Sequence, residues 1–531
     1  MASPDEAPLL PLSPPSPPFG RQFRLALVLV AVVTLAVFGR ASGFGFLLWD
    51  DDIQLTSNPT LHALDWTMAW RMFTRGYAIR YQPLSWLSSA LLVRVGGMNA
   101  FLFHSYNILL HALSAVLLAA LLRRLVIRAL PAQASDVAAV VLAPVFGSLV
   151  FALHPLRVEP VAWATGWRYC QSVVLMLASA LLYLRAMDAR PIGALRTAGY
   201  WFSVVAFALS AFTYPFCLEW PLALVVLDVY PLRRWRSRGA WLEKLPFAFI
   251  AVLALVASVA VRLTTDVANY APASLADYGV GARLMKAMQV WADATWRGLF
   301  PVDLRPVYIG STPFDAMSAR SIFSAVVLAA VTILLVRLRR AHPVLLALWL
   351  VHLALLGAKL GLLEVGHVEA ADRFSYPAGV AWAGLATCGF LAAGRLGLGR
   401  KVRVVLAAAL VVLLGLMSFR HLSLWRNDVT FFQAGLASVG NTGLRDDMLW
   451  RLALAHWRQG DLGRALPLLE EAVARRPGDL RLRLMRAGLF KGLGREPDMR
   501  REMGKAMRLT GASTPEEAIH KISQFVQLPS P

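Results

Sequence analysis

The chain has 531 residues, of which 57% are hydrophobic and 16% are charged, and its formal net charge is +21. Because soluble proteins carry about 25% charged residues, this composition and a mean hydropathy of +0.56 exclude a soluble multidomain enzyme. The basic residues stand in short clusters between apolar runs and form no continuous basic face, so no nucleic-acid partner is expected. The bilayer is therefore the predicted solvent for most of the chain.

Eleven apolar stretches predict an all-α polytopic membrane protein, since a helix needs about 20 apolar residues, or somewhat fewer where the membrane is thin, to cross it. They cover residues 25–48, 101–122, 138–153, 172–184, 200–214, 216–229, 246–263, 322–336, 344–363, 376–393 and 402–419. The amphipathic stretch 284–300 predicts a helix that lies in the interface or re-enters the membrane. The Pro/Ser-rich residues 1–20 predict a disordered cytoplasmic tail.

The basic residues also predict how these spans are oriented. With the N-terminus inside, every predicted inner loop is basic, as the positive-inside rule requires. The N-terminus is therefore predicted to be cytoplasmic and the C-terminal region external. Because arginine outnumbers lysine and the chain is compact, we expect a bacterial inner membrane, with the C-terminal region in the periplasm.

The predicted organisation is a transmembrane domain at 21–425, with a first outer loop at 42–99, and an external region at 426–531. From Asp446 onward, small and apolar residues follow the spacing of the tetratricopeptide repeat, a helix–turn–helix unit of about 34 residues. Such repeats present a groove to extended peptides, so this region could guide a protein acceptor or could only cap the membrane domain. The residues at repeat positions are Leu452, Ala453, Gly460, Ala465, Leu469, Ala472 and Pro477, then Phe490, Gly494 and Ala506 in a degenerate second copy.

A run of acids, Trp49-Asp50-Asp51-Asp52, opens the first outer loop. Three consecutive carboxylates repel one another, which is expected to raise the pKa of at least one of them. The alternative is that they are solvated surface charges that keep the loop outside. Two amphipathic stretches of the same loop, 64–70 and 83–87, favour a site, because interfacial helices would hold the acids at the depth of lipid phosphates.

Two other groups of polar residues have structural interpretations. His104, Asn107 and His111 share one helix face, and interhelical hydrogen bonds are favoured over a metal site, because only two of the three are strong ligands. Cys170 and Cys217 are interpreted as buried thiols, with a bridge between them left open.

The order of motifs along the membrane region resembles the transmembrane-and-tetratricopeptide-repeat (TMTC) O-mannosyltransferases and their bacterial relatives. The repeats at the C-terminus fit the same architecture. The motifs are FLLWDDD at 46–52, NP at 58–59, YQPLSWL at 81–87, HSYNILLHA at 104–112, FALHPLRVE at 151–159, LDVYPLRR at 227–234, FPVDL at 300–304 and ADRFSY at 371–376.

This resemblance implies a GT-C-fold glycosyltransferase that works on the external face of the membrane. Such enzymes move a sugar, with mannose as one candidate here, from a polyprenyl-phosphate-linked donor to an acceptor hydroxyl. The predicted partners are therefore this donor, a protein or glycan acceptor, and membrane lipid. In that fold an acid of the first outer loop acts as general base, which by position is Asp50 or Asp51, and a placed base contributes roughly 10²–10⁴ in rate.

The remaining site predictions concern the donor. Its leaving phosphate needs cations nearby, and the candidates at outer span ends are Arg168, Lys359 and Arg373. Arg373 could instead pair with Asp372, and Lys359 could extend its ammonium group to the interface. No metal site and no definite cofactor are predicted, and a divalent cation is left open. The other predicted substrate-binding residues are Asp52, Tyr81, His154 and Glu159, of which the last two could also only order a turn.

Two stretches depart from the family pattern. A charged Ser-Glu-Arg-Lys-Asp stretch of the family is replaced by Thr165-Gly166-Trp167-Arg168-Tyr169, and a Ser-Lys-Pro is replaced by Thr213-Tyr214-Pro215. If those family residues bind the donor phosphate, this chain uses other cations, binds a different donor or has lost catalysis. The alternative function is a non-catalytic membrane scaffold whose GT-C body presents the repeats for envelope assembly. A transporter is disfavoured, because no inverted repeat with a midplane ionic site is evident.

Overall fold

The computed structural model describes residues 19–62, 64–78, 80–190, 193–264, 279–309, 314–359 and 368–517. Most of the predicted N-terminal tail and the end of the external region therefore lie outside the described residues. The chain divides into two compact units. The first contains Met1–Leu304 and Gly310–Ser423, and the second contains Arg305–Ile309 and Leu424–Pro531.

The first unit is built from helices, several of which begin at a side-chain cap. Asp65 accepts a hydrogen bond from the N–H of Met68, and Asn99 accepts one from Phe101, so orphan backbone donors at two helix starts are satisfied. A short strand covers Val368–Ala370. The helices are α1 (Gly20–Phe38), α2 (Trp66–Thr74), α3 (Pro83–Gly96), α4 (Ala100–Ala129), α5 (Ala143–Leu153), α6 (Val158–Ala162), α7 (Trp167–Ala189), α8 (Ala198–Thr213), α9 (Trp220–Val229), α10 (Arg238–Leu242), α11 (Leu245–Thr264), α12 (Val280–Leu299), α13 (Ala319–Arg337), α14 (Pro343–Leu356), α15 (Ser375–Arg395) and α16 (Arg400–His421).

Within the described residues, 7 helical segments are long and apolar enough to cross a membrane, so the chain is a multi-pass membrane protein. A bent pair, Ala138–Leu153 with Pro155–Ala162, makes up to 8, and α8, α9 and α14 are shorter apolar helices. Each of the eleven predicted stretches coincides with one of these segments. The amphipathic stretch forms α12, which is not among the long apolar segments. The 7 segments are Gly20–Gly43, Ala100–Ala129, Ala164–Ala189, Arg238–Thr264, Ala319–Arg340, Asp372–Arg395 and Arg400–Trp425.

The bent pair brings a buried turn into the region that sequence alone interprets as an outer loop. Its two halves meet at 59°. Pro155 begins the second half, and His154 Nδ1 accepts a hydrogen bond from the N–H of Leu156 at 3.2 Å, which caps the new turn. Glu159 and its neighbours in α6 are buried, so this segment is packed against the helices and not exposed as a loop.

Serine pairs hold α7 close against α8. The hydroxyl groups of Ser172 and Ser210 each donate to the other residue's carbonyl, at 3.1 and 2.7 Å. Ser179 and Ser203 repeat the arrangement at 2.9 and 2.7 Å. Small residues allow helix backbones to approach in this way. The pairing fixes the position of α7, whose first turn carries Arg168.

The polar stripe on α4, which consists of His104, Asn107 and His111, makes interhelical and helix–loop hydrogen bonds, as the sequence predicts. Because each member is used by a different neighbour, the stripe is structural and does not converge on a common ligand. Among the described residues, no group of three or more His, Cys, Asp or Glu side chains could hold a metal ion. The contacts are His104 Nε2 with Gly45 O (3.3 Å), Asn107 Nδ2 with Trp163 O (2.7 Å), and His111 with Ala152 O (2.9 Å) and the Tyr376 hydroxyl (2.7 Å).

The second unit contains successive helix pairs with the predicted repeat spacing. Gly460 separates the first pair with a φ of 78°, a conformation that favours glycine. Asp461 and Asp479 cap the helices that follow, and Ala465 and Ala472 are fully buried where those helices pack. The tetratricopeptide-like region is therefore confirmed. A strand covers Tyr308–Ile309, and the helices are α17 (Asp428–Ser438), α18 (Gly443–Arg458), α19 (Leu462–Arg475), α20 (Leu480–Gly492) and α21 (Glu496–Thr510).

Candidate functional site

The acid run after α1 contains one carboxylate that is buried and fully hydrogen-bonded. The Asp51 side chain has no exposed surface. Its Oδ2 accepts from the N–H of Leu47 at 2.8 Å, and its Oδ1 accepts from the N–H of Thr165 at 3.0 Å and from the Thr165 hydroxyl. Burial raises the pKa of Asp51 to about 7, although these hydrogen bonds lower it, and the charge of Asp50 adds only a smaller increase. Burial, more than the expected repulsion, therefore perturbs this acid.

The neighbouring carboxylate, Asp50, faces arginines. Its Oδ2 lies 2.8 Å from an Nη of Arg80 and 3.9 Å from an Nη of Arg168, and its side chain is 28% exposed. Burial would raise the pKa of Asp50, but the charges of Arg80, Arg168 and Arg373 outweigh it and hold the pKa at about 2. Asp50 also has a φ of 67°, which is uncommon for a residue other than glycine and recurs at functional sites.

Arg168 is the most unusual residue of the region, because its guanidinium group is buried without hydrogen bonds. The side chain has no exposed surface, and within the described residues Nε and both Nη atoms have no hydrogen-bond partner. The group lies over the rings of Trp163, Tyr169 and Tyr214, at 5.4, 5.1 and 5.2 Å from their centroids. Cation–π contacts hold the charge, and none of the guanidinium N–H groups donates a hydrogen bond to a described residue.

Arg373 approaches the same aromatic rings from α15's start. Glu159 binds it twice, because one carboxylate oxygen accepts from the backbone N–H of Arg373 at 2.7 Å and the other contacts the guanidinium group. The guanidinium carbon lies 5.4 Å from the Trp163 ring and 5.9 Å from the Tyr169 ring. The carboxylate that holds Arg373 is thus Glu159, from the bent segment, and not the adjacent Asp372 that the sequence offered as an alternative.

These residues form one site, which we call the arginine cluster: Arg80, Arg168 and Arg373 with Asp50 and Glu159, together with Tyr169 and Tyr214. The cations exceed the anions by one before Asp51 is counted, and Asp51 is only partly ionised near neutral pH because of its raised pKa. The pKa of Tyr214 reflects the resulting positive electrostatic potential. Burial raises the pKa of its hydroxyl, yet the charges of Arg168, Arg80 and Arg373 lower it below the ordinary value. The cluster is therefore suited to bind an anion.

The other predicted site residues lie outside the arginine cluster, and their predicted roles stay predictions. The Tyr81 hydroxyl donates to Phe73 O at 2.9 Å, and His154 Nε2 contacts Gly298 O at 3.2 Å. Asp52 begins the short helix Asp52–Thr56. Lys359 lies 3.3 Å from Glu219, an ion pair that leaves its ammonium group engaged. Its ring contact is Phe216, which in turn packs on Tyr169 and Tyr214 of the cluster.

Sequence reasoning missed several residues that build the site. Arg80 lies beside the recognised motif at 81–87 but was not selected, because nothing local links it to Asp50. Thr165, Tyr169 and Tyr214 belong to the two stretches that depart from the family pattern. These departures were a usable signal, since the replaced positions surround Arg168 and hold Asp51. Cys170 and Cys217, also near this region, are buried free thiols, as predicted.

Two comparisons with known proteins found matches to this chain. Residues 446–489 match the model of the Tetratricopeptide repeat family. The human Protein O-mannosyl-transferase TMTC1 is 29% identical over 178 residues, which is 32% of this chain and 19% of that protein. The mouse Protein O-mannosyl-transferase TMTC1 is 28% identical over 173 residues, which is 31% of this chain and 17% of that protein. The matched region is thus well below two thirds of the relatives' length, and no solved structure matches.

The similarity to two TMTC1 proteins and the match to the repeat model support the family resemblance that the motifs predict. The resemblance predicted from sequence is therefore confirmed: this chain is a TMTC-like multi-pass membrane protein with a tetratricopeptide-repeat region.

Proposed function

We propose that the chain is a GT-C-type membrane glycosyltransferase that moves a sugar from a polyprenyl-phosphate donor to an acceptor hydroxyl. Mannose is the proposed sugar and a protein the proposed acceptor, because the relatives are named protein O-mannosyl-transferases. A glycan is the other acceptor class. The proposed location of the reaction is the periplasmic face of a bacterial inner membrane, which follows from the basic inner loops.

The observation that carries this proposal is the buried Arg168 guanidinium, whose N–H groups have no hydrogen-bond partner within the described residues. A buried charged donor left unpaired is costly, so its position makes sense if a ligand supplies the acceptor. A polyprenyl-phosphate sugar is a phosphodiester with one negative charge, and transfer leaves a phosphate monoester of about −1.5 to −2 at pH 7. The net charge of +1 on the cluster matches the single negative charge of the donor. Arg168 and Arg373 then stabilise the additional negative charge on the leaving phosphate.

In the proposed step, Asp50 takes the proton of the acceptor hydroxyl as its oxygen forms a bond to the anomeric carbon. The bond between that carbon and the phosphate oxygen breaks, and the phosphate leaves with the electron pair. Arg168 and Arg373 stabilise this charge. Asp50 then releases its proton to water.

Asp50 is assigned as the base because it is the accessible acid. Both oxygens of Asp51 already accept hydrogen bonds, so Asp51 is assigned the positioning of the loop. While Arg80 is paired with Asp50, the low pKa makes Asp50 a weak base. Donor phosphate would draw Arg80 away, which raises the basicity of Asp50 only when donor is bound.

A second candidate function is the non-catalytic scaffold that presents the repeats for envelope assembly. The pair between Asp50 and Arg80 at 2.8 Å favours it, because this contact neutralises the proposed base. The two functions differ in one measurable property, which is the transfer of a sugar to the acceptor.

The test uses the full chain in proteoliposomes, with polyprenyl-phosphate mannose and a serine-containing peptide. Asp50→Asn is expected to lower transfer at least a hundredfold, because a placed base contributes about 10²–10⁴. Asp65→Asn is the matched control, since asparagine also caps α2. Wild-type transfer no greater than that of Asp50→Asn would favour the scaffold. Parallel reactions with EDTA test the divalent cation that the sequence leaves open.

A further inference from the structure

A cavity lies in the first outer loop, apart from the arginine cluster. It has a volume of about 250 Å³, and its lining includes Met68, Arg71, Met72, Arg75, Tyr77 and Trp86. This space can hold one or two side chains but is too small for a lipid chain with its headgroup. None of the described residues that line it is acidic.

The polar groups that line the cavity are donors. Arg71 and Arg75 are exposed, and neither forms an ion pair with a described residue. The Trp86 side chain is 1% exposed, and its indole N–H has no hydrogen-bond partner within the described residues. The Tyr77 hydroxyl donates to backbone carbonyls. Two cations without an ion pair and an N–H without an acceptor among the described residues favour an occupant that presents oxygen acceptors with negative charge.

The two faces of α2 indicate which side of the cavity meets the membrane. Successive helical residues are about 100° apart, so Trp66, Trp70 and Phe73 share one face and Arg71 lies on the opposite one. These three aromatic side chains are 82%, 60% and 40% exposed, which suits a face placed in the lipid interface. The cavity is thus lined by the face of α2 turned away from lipid, which favours an occupant from the aqueous side.

The cavity is also joined to the arginine cluster through a tight turn. Tyr77 in its wall exchanges backbone hydrogen bonds with Arg80, at 3.1 and 3.0 Å, and Arg80 holds Asp50. A peptide seated in the cavity would therefore contact the same loop that carries the proposed base.

We propose that this cavity is an acceptor subsite that selects an acidic residue beside an apolar side chain in a hydroxyl-bearing peptide. The carboxylate binds Arg71 and Arg75 and accepts the indole N–H of Trp86, and the apolar side chain contacts Met68 and Met72. This inference rests on the proposed transferase function, because it names the acceptor chemistry of the same reaction.

The test compares two short peptides that share a Leu-Xaa-Ser-Thr core, where Xaa is Asp in one and Asn in the other. Binding of each dye-labelled peptide to the full chain in phosphatidylcholine vesicles is measured by anisotropy without donor, so it does not depend on transfer. Transfer from polyprenyl-phosphate mannose is measured in parallel. We expect tighter binding and a lower KM for the Asp peptide. In R71Q/R75Q the preference is expected to disappear, through about a tenfold loss for the Asp peptide alone.

The controls separate the possible outcomes. Arg94→Gln removes another exposed arginine of the same loop and should retain the preference. Trp86→Phe keeps an aromatic ring but removes the indole N–H, so it should weaken binding of the Asp peptide a few-fold. Equal affinity of wild type for both peptides would overturn the subsite, whether or not transfer occurs. Binding that instead follows the phosphatidylglycerol content of the vesicles would assign the cavity to a lipid headgroup and also overturn it. Charge-selective binding without any transfer would contradict the proposed function but not the peptide preference.

Discussion

The arginine cluster can be compared with a second group of buried charges in the same unit, the closed ion cluster. Both contain carboxylates, cations and tyrosine side chains, but their charges are paired differently. In the closed ion cluster each charged group lies within 3.2 Å of an opposite charge, whereas Arg168 lies 3.9 Å from Asp50 and donates no hydrogen bond to a described residue. The closed ion cluster consists of Asp228 with Lys244 (2.5 Å) and Arg234 (3.2 Å), Glu243 in contact with Arg234, and Tyr183, whose hydroxyl donates to Asp228 at 3.0 Å.

This difference separates a structural role from a binding role. Removing one partner of a buried, mutually neutralised pair leaves an uncompensated charge, so the closed ion cluster is expected to hold α7, α9 and α11 together. An arginine that is buried without hydrogen bonds to the described residues, and that lies 3.9 Å from the carboxylate of Asp50, contributes less to folding and provides donors for a ligand. Substitutions in the two clusters should therefore have opposite effects on stability and activity.

The largest expected effect is on stability in the closed ion cluster. Asp228→Asn leaves Lys244 without its carboxylate partner and leaves Arg234 paired with Glu243. We expect a loss of about 3–5 kcal/mol in unfolding free energy, measured by thermal unfolding in detergent. Asp188→Asn is the control, because Asp188 pairs with Arg124 and Arg128 but its side chain is 32% exposed. Equal losses of unfolding free energy for the two variants would show that ion pairing in the closed ion cluster stabilises the fold no more than the partly exposed pairs of Asp188 do.

The second prediction concerns Arg168 and reverses this pattern. Arg168→Gln removes a buried charge without hydrogen bonds, so the melting temperature should stay the same or rise. Transfer should fall at least a hundredfold, because one donor to a developing charge is worth about 10²–10³ in rate. Arg168→Lys keeps the charge but loses the planar fork, and an intermediate rate is expected. Strong destabilisation of the Arg168→Gln protein, with normal transfer, would show that Arg168 has a structural role like that of the closed ion cluster.

A smaller effect is expected from pH, through the buried acid beside the arginine cluster. The pKa of Asp51 is raised to about 7 from an ordinary 3.8, so the folded state binds its proton more tightly than the unfolded state. This stabilisation is complete below the ordinary pKa and is lost as pH rises through 7. The melting temperature of the wild type should therefore fall more between pH 4 and 8 than that of Asp51→Asn.

Activity should respond to pH differently from stability. Because the pKa of Asp50 is about 2 in the free protein, this acid stays ionised across the same range and causes no acid limb in kcat/KM for the donor. An acid limb with a midpoint near 7, absent in Asp51→Asn, would reassign the base to Asp51.

The last test measures neither activity nor stability. It determines on which side of the membrane each of the two clusters lies. Thr74→Cys marks the loop of the arginine cluster, and Arg238→Cys marks the closed ion cluster; both positions are exposed. Each is made in a Cys388→Ser background, since Cys170 and Cys217 are buried. A membrane-impermeant maleimide should label only Thr74→Cys in intact spheroplasts. Labelling of Arg238→Cys alone would invert the predicted orientation.

Part of the candidate site could be predicted because its residues belong to recognisable local patterns. The acid run at 50–52 follows directly on a long apolar stretch, and Arg168, Arg373 and Glu159 lie in or near motifs at other apolar segments. Lys359 fits the same description, yet Glu219, far away in sequence, pairs with it. Local pattern therefore finds charges near the membrane but does not tell which of them are paired.

The sequence by itself determined the membrane class, the positions of the apolar segments and the repeat region. These follow from composition, hydropathy over about 20 residues and spacing within one repeat, all of which are local properties. Only the tertiary structure decided that Arg80 pairs with Asp50, that Thr165 donates to Asp51 and that Arg168 donates no hydrogen bond to the part of the chain that the structure describes. Each of these depends on how segments remote in sequence approach one another, because burial and the spacing of opposite charges, not residue type, set the pKa and the availability of a side chain.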